Sequence, residues 1–90
     1  MTLVTLDGKT MQKKEDVHAY LKSKLNLPEY YGNNLDALWD VLSTLDDSME
    51  IHFIHSKQML ECLGNYGTAL LKVFEDAANE NSNIKFRVIS

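Results

Sequence analysis

A chain of 90 residues, 44% hydrophobic and with a net charge of −4, holds enough material for one domain around one core, and too little for a second domain or a deep substrate cleft. Its lone cysteine, Cys62, excludes an internal disulfide, and no apolar run reaches membrane-spanning length or follows a basic N-terminal start, so the chain reads as cytoplasmic. The acidity is segregated: Leu25 to Ser56 holds Glu29, Asp36, Asp40, Asp46, Asp47 and Glu50 without a Lys or Arg, whereas the remainder, with nine basic and seven acidic residues, is net positive. Such a field disfavours nucleic acid and anionic membranes and speeds encounter with a basic partner. Its plain structural reading is a solvated acidic surface.

In chain order, Thr2 to Leu6 reads as a first strand, rich in strand formers and ending at the turn pair Asp7-Gly8. From about Glu15 to Leu25, apolar residues at Val17, Tyr20, Leu21 and Leu25 have the spacing of one helical face. Pro28 is the only proline, and Leu27 to Gly32 around it reads as a loop carrying two aromatics, Tyr30 and Tyr31. Asn33-Asn34 offers an N-cap for a helix from Leu35 to Thr44 or Leu45, whose Leu35, Leu38, Val41, Leu42 and Leu45 repeat at helical spacing. Met49 to Ile54 alternates as a second strand, with Ile54 breaking the pattern as in a strand covered on both sides. A short helix near Gln58 to Leu63 ends at Gly64, and on it Cys62 reads as a small buried hydrophobe. Thr68 to Asn79 carries an apolar helical face, Asn79 to Asn83 is a polar turn, and Ile84 to Ile89 is the third strand. Strands separated by helices imply parallel pairing: an α/β fold with a small three-stranded parallel sheet packed with about four helices.

The second helix carries the feature that points to function. At about 100° per residue, Asp36, Asp40, Ser43 and Asp47 fall on one stripe, opposite Leu38, Val41, Leu42 and Leu45. Trp39 lies at the boundary, where it reads either as a core residue at the helix margin or as an anchor for a partner. Asp36, in the first turn, favours the positive end of the helix dipole. Asp40 gains little there and repels Asp36 from four residues away, with no cation nearby in sequence to relieve it, an arrangement that favours a basic partner. Tyr30 and Tyr31 can staple the loop to the core or present phenol edges outward. Gly32 is read as supplying a backbone angle closed to other residues, and Asn34 as the helix cap.

The stretch Leu27-Pro28-Glu29-Tyr30-Tyr31-Gly32-Asn33-Asn34-Leu35-Asp36-Ala37-Leu38-Trp39-Asp40 resembles the signature segment of the barstar family, intracellular inhibitors of secreted bacterial ribonucleases of the barnase type. A weaker, collinear resemblance runs over the whole chain through Asp7-Gly8, Val17-His18, Val73-Phe74 and the end of strand three, implying a single barstar-like domain over residues 1–90. The resemblance implies that the second helix and its preceding loop enter the ribonuclease active site. Asp40 would take the place of a substrate phosphate before arginines and a histidine, Asp36 would meet a second arginine region, and Tyr30 would pack on the histidine. Trp39, Gly32, Asn34 and Ala37 would line the contact, to which Tyr31, Asn33, Leu35, Ser43 and Asp47 also belong, and Asp76 on the last helix would stand at the far rim. A carboxylate accepts paired hydrogen bonds from guanidinium much as phosphate does.

The centre of this pattern is kept and its rim altered. Asn33 replaces a glutamate, Ser43 a threonine and Leu45 a tryptophan, Asp47 and Asp76 are shorter than the glutamates they match, and Val41 and Ser82 stand where the family's two cysteines lie. The expected partner is one basic microbial ribonuclease of the barnase type in a one-to-one complex, with a free monomer and no cofactor, metal, nucleic acid or membrane. Two other readings compete. An enzyme using Asp36 and Asp40 as an acid–base pair would need one of them desolvated, and both project from an exposed face. His52 and His55, three residues apart, point to opposite faces of a strand and make a poor metal pair. An acidic interaction module of the same fold with a basic partner other than a ribonuclease is compatible with the charge pattern.

Overall fold

The computed structural model describes residues 2–28, 31–32 and 34–89. Strand β1 (Thr2–Asp7) leads through a short 3-10 turn at Gly8–Thr10 into α1 (Lys14–Leu25), then α2 (Leu35–Ser43), β2 (Met49–Ile54), α3 (Ser56–Leu63), α4 (Asn65–Glu80) and β3 (Ile84–Ile89). The sheet is parallel throughout in the order β1-β2-β3, aligning Val4 with Ile51 and Ile51 with Phe86. This is the α/β arrangement of a three-stranded parallel sheet with four helices that the periodicity implies.

Because spatial order follows chain order, right-handed crossovers carry both helical connections to the same face. Val4, Leu6, Met49, Ile51, Phe53 and Ile84 on that face are buried. The opposite face is open: Leu3 is 61% exposed and Ile89 45%, Thr5, Lys85 and Arg87 are exposed, and Glu50, His52 and Ile54 are half-buried. The expectation from Ile54 of a strand covered on both sides is therefore corrected. Helices cover the sheet from one side, and the apolar Ile54 belongs to the open face in line with Asp7 and Ile89. There His52 Nε2 pairs with Glu50 Oε2 at 2.5 Å.

The core gathers Phe53, Phe74 and Phe86, with Phe74 and Phe86 stacked at 5.1 Å, against Leu38 and Leu42 of α2 and Val17 and Leu21 of α1. Asp7 Oδ1 accepts from Lys9 N, and Asp7 N donates to the Tyr20 hydroxyl, both at 2.9 Å, so the turn pair also pins α1 to the end of β1. A Cβ on Gly8 would stand 2.2 Å from the His55 carbonyl oxygen, so this glycine permits close approach of two chain segments.

Two local expectations change. Cys62 is exposed, because α3 buries Ser56 and Met59 and Cys62 projects about 90° from the middle of that face at about 100° per residue. The last helix begins at Asn65 instead of Thr68, immediately after Gly64, whose φ of 58° separates it from α3.

Candidate functional site

The loop into α2 is shaped by its ends. Asn26 closes α1 in the left-handed conformation at φ 55°, and Leu27 N then bonds Lys22 O at 3.0 Å, turning the chain before Pro28. Leu27 and Tyr31 are buried and hold the loop to the core from within. Asn34 caps α2: its Oδ1 accepts from Ala37 N at 2.7 Å, while its Nδ2 donates to Gly32 O at 3.1 Å. Gly32 does not need a special backbone angle, since its φ lies outside the left-handed region. What it provides is space, because a Cβ there would come within 3.3 Å of both the Ala37 Cβ and the Asn34 amide.

From this cap, α2 turns Leu38 and Leu42 fully inward and leaves Asp36 and Asp40 exposed. Among the described residues no Lys, Arg or His lies within ion-pair distance of either carboxylate. The hydroxyls of Ser43 and Thr44 bond the backbone carbonyl of Asp40, at 3.3 and 2.7 Å, and leave its side chain free. Trp39 is half-buried and packs on the core with Leu35, Ala37, Val41 and Leu45, which places it at the helix margin as the wheel implies. Ser43 is half-buried at the last turn.

The helix stops at Ser43, so Asp47 does not extend the acidic stripe along it. It is exposed in the turn before β2. The cause is in the turn after α4: Asn81 Nδ2 donates to the carbonyls of Leu42 and Leu45, and Asn83 Nδ2 to those of Leu45 and Asp46, which replaces further helical bonding. Asp76 is exposed on α4, in an open groove it shares with Leu60, Thr68, Leu71, Lys72 and Glu75. No residue of α2 lines that groove. Tyr30 and Asn33, both expected at the contact, lie outside the described residues.

Of the residues beneath the loop, the sequence singles out Tyr31 but not the two partners it finds there, His18 and Tyr66. His18 of α1 is buried, with Nδ1 2.6 Å from the Tyr31 hydroxyl and Nε2 against the hydroxyl of Tyr66. Burial lowers the basicity of His18. It also raises the Tyr31 phenol to about 12, aided by Tyr66, and raises Tyr66. A histidine on an apolar helix face and an aromatic in the first turn of another helix are weak signals singly. Only the fold joins them. Among the described residues no group of three or more His, Cys, Asp or Glu is placed to hold a metal ion, and no helix is long and apolar enough to cross a membrane.

The arrangement is thus an exposed pair of carboxylates without a cationic partner among the described residues, beside a half-buried tryptophan on a capped helix. The sequence model of the family described as Barstar (barnase inhibitor) matches residues 1–90. The chain belongs to the barstar family. A Bacillus subtilis (strain 168) relative, named "Putative ribonuclease inhibitor YrdF", is 34% identical over 90 residues, covering 99% of this chain and 98% of its own. Membership in the barstar family points to ribonuclease inhibition as the activity and to a ribonuclease as the partner.

Proposed function

We propose that this protein inhibits a basic microbial ribonuclease of the barnase type by docking α2 and its preceding loop over the active site, one inhibitor to one enzyme, in the cytoplasm of the cell that makes it. Asp40 takes the position of a substrate phosphate, Asp36 meets a neighbouring cationic region, and Trp39 anchors the helix, flanked by Tyr30, Gly32, Asn34 and Ala37. Leu35 and the inward-facing Tyr31 support this surface from below. The rim consists of Asn33, Ser43, Asp47 and Asp76.

The observation that carries this reading is the state of Asp36 and Asp40, exposed and without a cationic partner among the described residues. Like charges one helical turn apart oppose helix formation by a few tenths of a kcal/mol (~0.2–0.5), and a basic partner converts that penalty into attraction. Electrostatic steering of this kind, for which the barnase–barstar pair is itself the standard example, raises the association rate and makes it fall with salt.

The test is a titration of several barnase-type ribonucleases with the purified protein at low and moderate ionic strength. Tight inhibition that weakens with salt is expected for at least one of them. Absence of inhibition at micromolar protein removes the ribonuclease reading and leaves an acidic interaction module with another basic partner.

A further inference from the structure

Tyr66 is half-buried in the first turn of α4. Its hydroxyl meets Nε2 of His18, whose Nδ1 faces the hydroxyl of Tyr31. The Tyr31 hydroxyl donates to the carbonyl oxygen of Asn34 at 3.4 Å, the same oxygen that accepts the first α2 bond from Leu38 N at 3.0 Å. A phenol has one proton to give, and a neutral imidazole carries hydrogen on one nitrogen only. With the Tyr31 proton directed at Asn34, its oxygen must accept from His18, which places the ring hydrogen on Nδ1. Nε2 is then an acceptor, and Tyr66 supplies the proton it takes. The bonds run in one direction from Tyr66 through His18 and Tyr31 to Asn34, and among the described residues no buried side-chain polar atom is left without a partner.

We propose that Tyr66 is a positioning residue for the docking surface: its hydroxyl holds His18 in the Nδ1–H tautomer, and through Tyr31 this sets the Asn34 cap from which Asp36 and Asp40 are presented. The assignment rests on the inhibitor reading given above. It places a determinant of affinity on α4, outside the contact itself, and makes the loop's inner side a device joining three separate segments of chain.

The surroundings favour the neutral ring that the relay needs. Desolvation disfavours a charged His18. Lys14 Nζ stands 5.0 Å from the centre of the Tyr66 ring. An open pocket of about 580 Å³ beside the pair is lined from α1 by Lys14, Glu15 and Lys22, so the net charge facing His18 there is positive. On the loop side it faces Tyr31, whose phenol stays protonated well beyond neutral pH.

Tyr66→Phe keeps the ring and removes only the hydroxyl. In the free protein, ¹⁵N spectra of the His18 ring are expected to show Nδ1–H in the parent and a mixture of tautomers in Tyr66→Phe. The His18 pKa should move up toward its ordinary value in the variant, because the neutral form loses the bond to Nε2. Against a ribonuclease that the parent inhibits, Tyr66→Phe is expected to bind about 3- to 10-fold more weakly, as for one lost hydrogen bond, with the acidic limb of its pH profile displaced upward. A parent ring found as Nε2–H, or unchanged affinity in Tyr66→Phe, overturns the proposal. The ring spectra need no ribonuclease and judge the relay alone, whereas a parent that inhibits no enzyme removes the inhibitor reading instead.

Discussion

The side-chain amide of Asn81 donates to the backbone carbonyl of Leu42 at 3.0 Å, so the turn after α4 closes the C-terminal end of α2. The same nitrogen reaches Leu45 O at 2.9 Å, while Asn81 Oδ1 accepts from Asn83 N at 3.0 Å. Asn81→Ala removes two donors from carbonyls at the edge of the core, and an unsatisfied buried polar group costs about 1–3 kcal/mol. Urea unfolding is expected to show a loss in that range, with a smaller loss for Asn83→Ala, whose partners are more exposed. Parent-like unfolding of Asn81→Ala would contradict the closure.

At the other end of the helix, Asn34 provides the N-cap. Replacement by Ala is expected to lower stability by about 1 kcal/mol, the usual loss for a capping side chain, and Asn34→Asp to retain most of it. Thermal unfolding of the pair separates the cap from any direct contact. If Asn34→Asp keeps the melting temperature but changes inhibition, the amide also faces the enzyme.

Stability should fall on both sides of neutrality. Burial holds the folded pKa of His18 below its ordinary 6.5, so below that value the unfolded state binds protons that the folded state refuses. The contribution of His18 is present above pH 6.5 and is lost as pH falls toward the folded value. The Tyr31 phenol is raised from 10.0 to about 12, so its contribution is present below pH 10 and is lost between pH 10 and about 12 as the unfolded phenol ionises. Unfolding free energies measured across pH are expected to decline in both windows, and Tyr31→Phe to flatten the alkaline one.

Gly8→Ala forces a Cβ against a backbone oxygen at the start of α3, where neither segment is free to retreat. A loss of about 1–3 kcal/mol is expected from such overpacking, read as a lower urea midpoint. A neutral result would mean that the β1 and β2 ends separate more easily than their parallel register suggests.

Much of this architecture is legible in the chain because periodicity and punctuation agree. Met49 to Ile54 alternates and forms β2 over those same residues, Asn34 caps the helix it precedes, and Leu38 and Leu42 are the inward residues of α2. Less legible are features set by long-range packing. Ile54 is apolar although its face of the sheet is open, a consequence of strand order that no local window contains. The turn that follows α2 and carries Asp47 off its stripe is held by Asn81 and Asn83 nearly forty positions later. The links among His18, Tyr31 and Tyr66 join α1, the loop and α4 and have no spacing to betray them. Of the candidate site, the exposed carboxylates and the half-buried tryptophan follow from a helical wheel, while what supports them from beneath does not.

Ribonuclease titration with single-site variants tests the central claim most directly, since it asks whether Asp40 carries the contact. The parent is expected to reach full inhibition at one molecule per enzyme. Asp40→Ala should bind at least ~30-fold more weakly, the mark of a hot-spot residue worth about 2 kcal/mol or more, while Asp47→Ala and Glu50→Ala stay near the parent. Equal inhibition by Asp40→Ala and the parent would contradict phosphate mimicry by the α2 carboxylate.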